Sequence, residues 1–149
     1  MASLFNNYAK EKIAEGDIDL DADTIKIALL TTATTADTEA NAQTLSGFTT
    51  LGEFSTSGTN YARATLSSID SRVDTGNHRY EFAAGNVTFS SLSASDPAKD
   101  IQGCLVLKHV DGTDANDIPI AFVDFASDLT PDGSNVTITW DDQGILQLS

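Results

Sequence analysis

The sequence predicts an all-β chain, an antiparallel β-sandwich of jelly-roll type with one short N-terminal helix, forming a single domain over residues 1–149. Three observations predict it. Short runs of alternating apolar and polar residues recur about every 8 to 12 residues, with turn chemistry between them. No helical period returns between those runs, which disfavours a parallel sheet with crossover helices. The 149 residues are 40% hydrophobic and 20% charged, enough apolar material for a core and too much for a disordered chain.

Taken in order, the helix is expected over 4–15, with Ser3 as its cap. Phe5, Ala9 and Ile13 recur at four-residue spacing, Leu4 and Tyr8 widen the stripe, and Gly16 supplies the stop. The period then changes to two. Ile18, Leu20 and Ala22 alternate with Asp17, Asp19, Asp21 and Asp23, which reads as an extended, solvated strand edge. The apolar phase shifts near Asp23 and Thr24, predicting a turn or bulge before a firm strand over 24–32. Residues 33–59 carry neither period. They read as a long surface excursion rich in Ala, Thr, Ser and Asn, with a helical turn near 43–48, of the kind that faces a partner. Further strands are expected over 61–67, 78–83, 86–91, 101–110, 118–126, 134–140 and 144–148. Asp74-Thr75-Gly76-Asn77, Asp111-Gly112 and Pro131-Asp132-Gly133 are among the turn signals that separate them. The run Cys104 to Leu107 and the stretch around Phe122 and Val123 look buried on both faces.

Eight Lys and Arg against 22 Asp and Glu leave a formal charge of −14 near neutral pH. Phosphate backbones and anionic lipid surfaces are bound through clustered cations, so neither nucleic acid nor membrane is an expected partner. No apolar run approaches the roughly 20 residues needed to span a bilayer. The first residues lack the basic start and apolar stretch of a secretory signal, so the chain is expected to mature where it is made. On the same expectation the glycosylation sequons at Asn86 and Asn135 read as chance.

No catalytic, cofactor or metal site is expected. The string from Asp17 to Asp23 fails the calcium-loop pattern, which needs Gly at its sixth position and an acidic twelfth where this chain has Ala22 and Ala28. Asp111, Asp114 and Asp117 have the composition of a cation loop and equally that of a plain hairpin connection. His78 and His109 lie in no catalytic motif, and Cys104 sits in an apolar run where a thiol packs as a small hydrophobe. Neither the nucleophile elbow, nor the zinc-protease motif, nor the phosphate loop is present.

Several segments in order carry a resemblance. They are Ala14-Glu15-Gly16-Asp17-Ile18-Asp19-Leu20-Asp21 running into Asp23-Thr24-Ile25-Lys26-Ile27-Ala28-Leu29-Leu30, then Gly58-Thr59-Asn60-Tyr61-Ala62-Arg63, and Asn86 to Ser91. Ile120-Ala121-Phe122-Val123-Asp124-Phe125 follows, and the closing Val136-Thr137-Ile138-Thr139-Trp140-Asp141 with Gly144-Ile145-Leu146 is the most specific. Together these resemble a family of small tailed-phage virion structural proteins associated with capsid decoration or cement roles. The chain departs from that pattern over 33–57, which is longer and richer in Ala and Thr.

The resemblance implies a jelly-roll-like fold and a non-enzymatic protein made in the host cytoplasm. It would sit on the outer surface of the phage head, bind the major capsid protein and stabilise the shell by bridging its subunits. It also implies a homo-oligomer, with a trimer as the expected form. The residues proposed to meet the partner are Leu4, Phe5, Tyr8, Phe48, Leu51 and Phe54. A neck or tail adaptor, a fibre-associated protein and a carbohydrate-binding attachment module are the alternatives. The last is weakened by the few aromatic platforms available, Tyr61, Tyr80 and Trp140 among them.

Overall fold

The computed structural model describes residues 3–57, 59–93 and 100–149, so Gly58 of the resembling segments lies outside the described residues. The described residues form an antiparallel β-protein with one α-helix. In order it runs β1 (Ser3–Phe5), α1 (Asn7–Glu15), β2 (Ile25–Thr31), a 3-10 turn (Leu45–Gly47), β3 (Ala64–Thr65), β4 (Arg72–Asp74) and β5 (Arg79–Phe82). It continues with β6 (Val87–Phe89), β7 (Ile101–Lys108), β8 (Ile118–Leu129), β9 (Val136–Ile138) and β10 (Leu146–Leu148). The strands form a five-stranded sheet in the order β1-β8-β7-β2-β3, a three-stranded sheet β10-β5-β4 and a pair β6-β9. A jelly-roll divides eight strands into two Greek keys; here the division is five, three and two.

The centre of the large sheet explains its sequence. In β2, Ile25, Ile27 and Leu29 point to one core while Ala28 and Leu30 point to a second on the opposite face. In β7, Cys104 and Val106 take the first face and Leu105 and Leu107 the other. A strand buried on both faces has no polar side to show, hence the near-continuous apolar runs. The first face is covered by the small sheets through Phe82, Leu146, Val87, Phe89 and Ile138. The second is covered by the irregular segment after β2, through Ala36, Ala42, Leu45 and Phe48. The expected surface excursion is therefore a layer of the core over much of its length, with its apolar side chains turned inward.

Other expectations are corrected. Residues 3–5 are a strand paired with β8, Ser3 opposite Val123 and Phe5 opposite Ala121, so Ser3 does not cap the helix. Leu4 and Phe5 pack on opposite faces, a period of two that a four-residue stripe imitates over so short a run. The cap is Asn6, whose Oδ1 accepts from Ala9 N at 3.2 Å, and Gly16 closes the helix at φ 82°. The acidic lead-in is a turn instead of an extended strand. Asp19 Oδ1 accepts from the N–H groups of Asp21 and Ala22 at 3.0 and 3.1 Å, and Asp23 Oδ2 accepts from Asp19 N at 2.9 Å. Ile18 and Leu20 are buried beneath it, and Lys108 Nζ holds it down through Asp23 Oδ2 at 2.7 Å and Asp17 O at 2.6 Å.

Candidate functional site

The densest polar assembly lies where four segments meet at the end of the large sheet. Arg63 follows the buried Tyr61 on the way into β3, which brings its guanidinium beneath the β7–β8 connection. Its Nε and Nη2 grip Glu53 Oε1 and Oε2 at 2.9 and 2.6 Å, the bidentate geometry that suits a planar fork. The same Nη2 reaches Asp114 Oδ1 at 2.6 Å, and Nη1 lies 3.3 Å from Asp117 Oδ2. Tyr61 extends the network, donating its hydroxyl to Glu53 Oε1 at 2.8 Å and accepting from Leu29 N at 3.0 Å.

Asp117 is fully buried. Its Oδ1 accepts from the backbone N–H groups of Val110, Asp111 and Gly112 at 2.8, 3.3 and 3.1 Å, and Oδ2 lies 3.5 Å from His109 Nδ1. Burial works to raise the Asp117 carboxyl, but these backbone donors, with His109, outweigh it and hold the group below the usual carboxylate range. Hydrogen bonding to Glu53 raises the Arg63 guanidinium further. The loop passes this order on. Leu45 N donates to Asp117 O at 3.1 Å and Ser46 N to Asp114 O at 2.7 Å, which seats the 3-10 turn on the second face of the sheet. The composition that suggested a cation loop thus belongs to a hairpin connection whose carboxylates are satisfied by backbone amides, by Arg63 and, at Asp111, by the side chains of Thr113 and Asn116. Among the described residues no three potential ligands converge as a metal site.

A second charged group lies on the outer face of the three-stranded sheet. Glu81 on β5 is only 3% exposed and receives Arg72 Nε at 2.9 Å from β4, together with Arg79 Nε and Nη2 at 3.0 and 2.8 Å. Arg72 also bonds the carbonyl of Asp142, and Arg79 reaches Asp74 at 3.5 Å and Gln147 Oε1 at 3.0 Å. Neither arginine group stood out in the sequence. The available signal was scarcity: with eight cations among 22 carboxylates, each arginine has several acids competing for it.

The six proposed partner residues divide. Phe54 and Phe48 are buried, the first in the strand-covered core and the second under the excursion, so as folded they have almost no surface to offer. Leu4 and Leu51 are half-buried at the rim of the excursion core, and Phe5 is half-buried against the other core. Tyr8 is half-buried on α1, with Lys12 Nζ 5.5 Å from its ring centroid.

Of the aromatics weighed for a sugar platform, Tyr61 is buried and Tyr80 packs against the core. Trp140 donates its indole N–H to Gly85 O at 3.1 Å and borders, with Phe5, a cleft of about 370 Å³. Cys104 is buried between Leu29 of β2 and Val123 of β8, and burial pushes its thiol up to about 12. Five residues of extended chain, about 17 Å, separate it along the strand direction from His109. His78 sits exposed in the β4–β5 turn at φ 53°. No protein-family model, no curated protein and no solved structure matches the chain.

Proposed function

We propose that the protein is a virion structural protein that binds the outside of a tailed-phage head and stabilises the shell by bridging capsid subunits. The observation that carries the reading is where the resembling segments fall. They build β2, the Tyr61–Arg63 anchor, β6, the inner half of β8 and β9, and so supply two strands of the five-stranded sheet, one of its covers and the arginine of the polar clamp at its end. Attachment by burial of apolar surface would stabilise the assembled shell alone, because the bridged geometry exists only there. Leu4, Phe5, Tyr8 and Leu51 are the members of the proposed contact set that retain surface for this. The charge of −14 suits a subunit held outside the shell, away from packaged DNA.

Cryo-electron microscopy of particles carrying the protein tests this directly. Density in many copies on the capsid lattice is expected, and density confined to the neck or tail axis overturns the head role. Decoration should also survive high salt if apolar contacts dominate. Release by salt would instead indicate a basic patch on the capsid.

A further inference from the structure

We propose that the open edge of β4 is a two-fold interface at which a second copy of this chain adds its own β4 in antiparallel register, centred on Val73. The inference does not depend on the virion reading.

Strand β4 ends the order β10-β5-β4 and, among the described residues, pairs only with β5, Arg72 opposite Glu81, Val73 opposite Tyr80 and Asp74 opposite Arg79. The direction of its backbone groups follows from two bonds. Asp70 N donates to Ala83 O at 2.9 Å, so Asp70 turns its polar groups toward β5. Phe82 O accepts from Ile145 N at 2.7 Å, so Phe82 turns its carbonyl away from β4, toward β10. Hydrogen-bonded and non-bonded pairs alternate along an antiparallel ladder. Arg72 and Asp74 therefore bond to β5, while Val73 points its N–H and C=O at the open edge. Val73 is also the most exposed of the large hydrophobic side chains among the described residues, at 70%.

An edge usually guards against pairing with charges that repel a copy. The sequence Arg72-Val73-Asp74 does the reverse. A two-fold axis at Val73 makes Val73 of the two copies the hydrogen-bonded pair, and it sets Arg72 of each chain opposite Asp74 of the other in the closer, non-bonded position. Across the outer face the signs then alternate without a break: Glu81 and Arg72 of one copy, followed by Asp74 and Arg79 of the other. On the opposite face Val73 meets its counterpart between the two Tyr80 rings. The patch complements itself, as a closed dimer requires. A partner of uniform charge would match only half of it.

Sedimentation velocity of the full chain at loading concentrations up to about 100 µM tests this, a range suited to a small interface. Salt near 0.15 M keeps the mutual repulsion of two acidic copies screened beyond about 8 Å. A concentration-dependent dimer is expected. Val73→Pro removes the outward N–H and no bond to β5, so it should weaken the dimer at least about tenfold with circular dichroism and melting unchanged. Arg72→Glu and Asp74→Lys should each be monomeric alone, and an equimolar mixture should restore the dimer, because each then meets its opposite sign. These swaps carry the test if the proline variant misfolds. A wild-type chain that stays monomeric throughout overturns the proposal. So does a trimer, or a dimer indifferent to Val73→Pro and to the charge swaps.

Discussion

The two faces of the five-stranded sheet are sealed by different means. On one, the strands of the small sheets bring Phe82, Phe89, Ile138 and Leu146 against Ile27, Leu29 and Val106, and their backbone groups are paired in ladders. On the other, an irregular segment does the covering, and each of its backbone groups needs its own partner. Fixed anchors provide them. Asn6 Nδ2 donates to Ala42 O at 2.9 Å, and Glu39 accepts from Thr35 Oγ1, Thr49 N and Thr49 Oγ1 at 2.9, 2.8 and 2.5 Å. The loop clamped by Arg63 accepts from Leu45 and Ser46. A loop can thus act as a core layer when a few designated polar groups replace the ladder. Its stability is then concentrated in those groups.

The largest expected difference between the faces comes from Arg63→Ala. It leaves the buried Asp117 and the half-buried Glu53 without their cation, which costs about 3 to 5 kcal/mol. Phe82→Ala should cost a similar amount, about 3 to 5 kcal/mol, by cavity formation on the strand-covered face. Hydrogen exchange separates the two. Arg63→Ala should strip protection first from 33–51 and 109–117, while Phe82→Ala should lower protection across the ladders together. Equal exchange patterns in the two variants would mean that the loop face is no more dependent on its anchors than the strand face is.

That contrast also marks what could be read from the sequence. Strands β2, β5, β6, β7, β9 and β10 declare themselves because pairing partner and burial both follow the alternation of side chains. The covering segment does not, since Ala36, Ala42, Leu45 and Phe48 are buried at positions set by loop geometry and by no fixed period. β4 escapes because Arg72-Val73-Asp74 has one apolar residue and an open edge. β8 runs beyond its expected end at residue 126 because it bulges: between the pairs Gly103–Asp124 and Ile101–Leu129 four residues of β8 face the single Gln102 of β7. Gly103 permits the close approach at that place, where an added Cβ would stand 2.4 Å from Val123 O. The candidate site was legible only in pieces. Asp114 and Asp117 were visible as an acidic loop, whereas their meeting with Arg63 and Glu53 depends on tertiary contacts more than 50 residues apart along the chain for the two aspartates.

Asn6 gives a smaller and more local test, because one side chain serves both the helix and the loop layer. Asn6→Ala loses the helix cap and leaves Ala42 O without its donor, for an expected cost of about 1 to 2 kcal/mol in thermal or denaturant unfolding. Asn6→Asp separates the roles. It keeps an acceptor for Ala9 N but brings a carboxylate to a buried position facing a carbonyl, so it should be at least as destabilising as alanine. Recovery of wild-type stability in Asn6→Asp would show that the cap alone matters and that Ala42 needs no anchor.

The gentlest way to load the anchored face is acid. The Asp117 carboxyl titrates lower in the folded chain than in the unfolded one, where a carboxylate of this type has a pKa of about 3.9. Between those two values the unfolded chain binds the proton and the folded chain does not, so stability must fall as pH falls through that window. The contribution is whole above the unfolded value and gone below the folded one. One carboxylate can contribute a slope of at most about 1.4 kcal/mol per pH unit. Asp111, Asp74, Asp132, Asp23 and Glu39 are lowered as well and add their own slopes, so the wild-type curve alone cannot single out the clamp. The comparison with Asp117→Asn does. The variant is less stable near neutral pH, yet its stability should decline less steeply below about pH 4, because the group that discharges there has been removed. Parallel curves would mean that the fold keeps Asp117 for its shape and draws no stability from its charge.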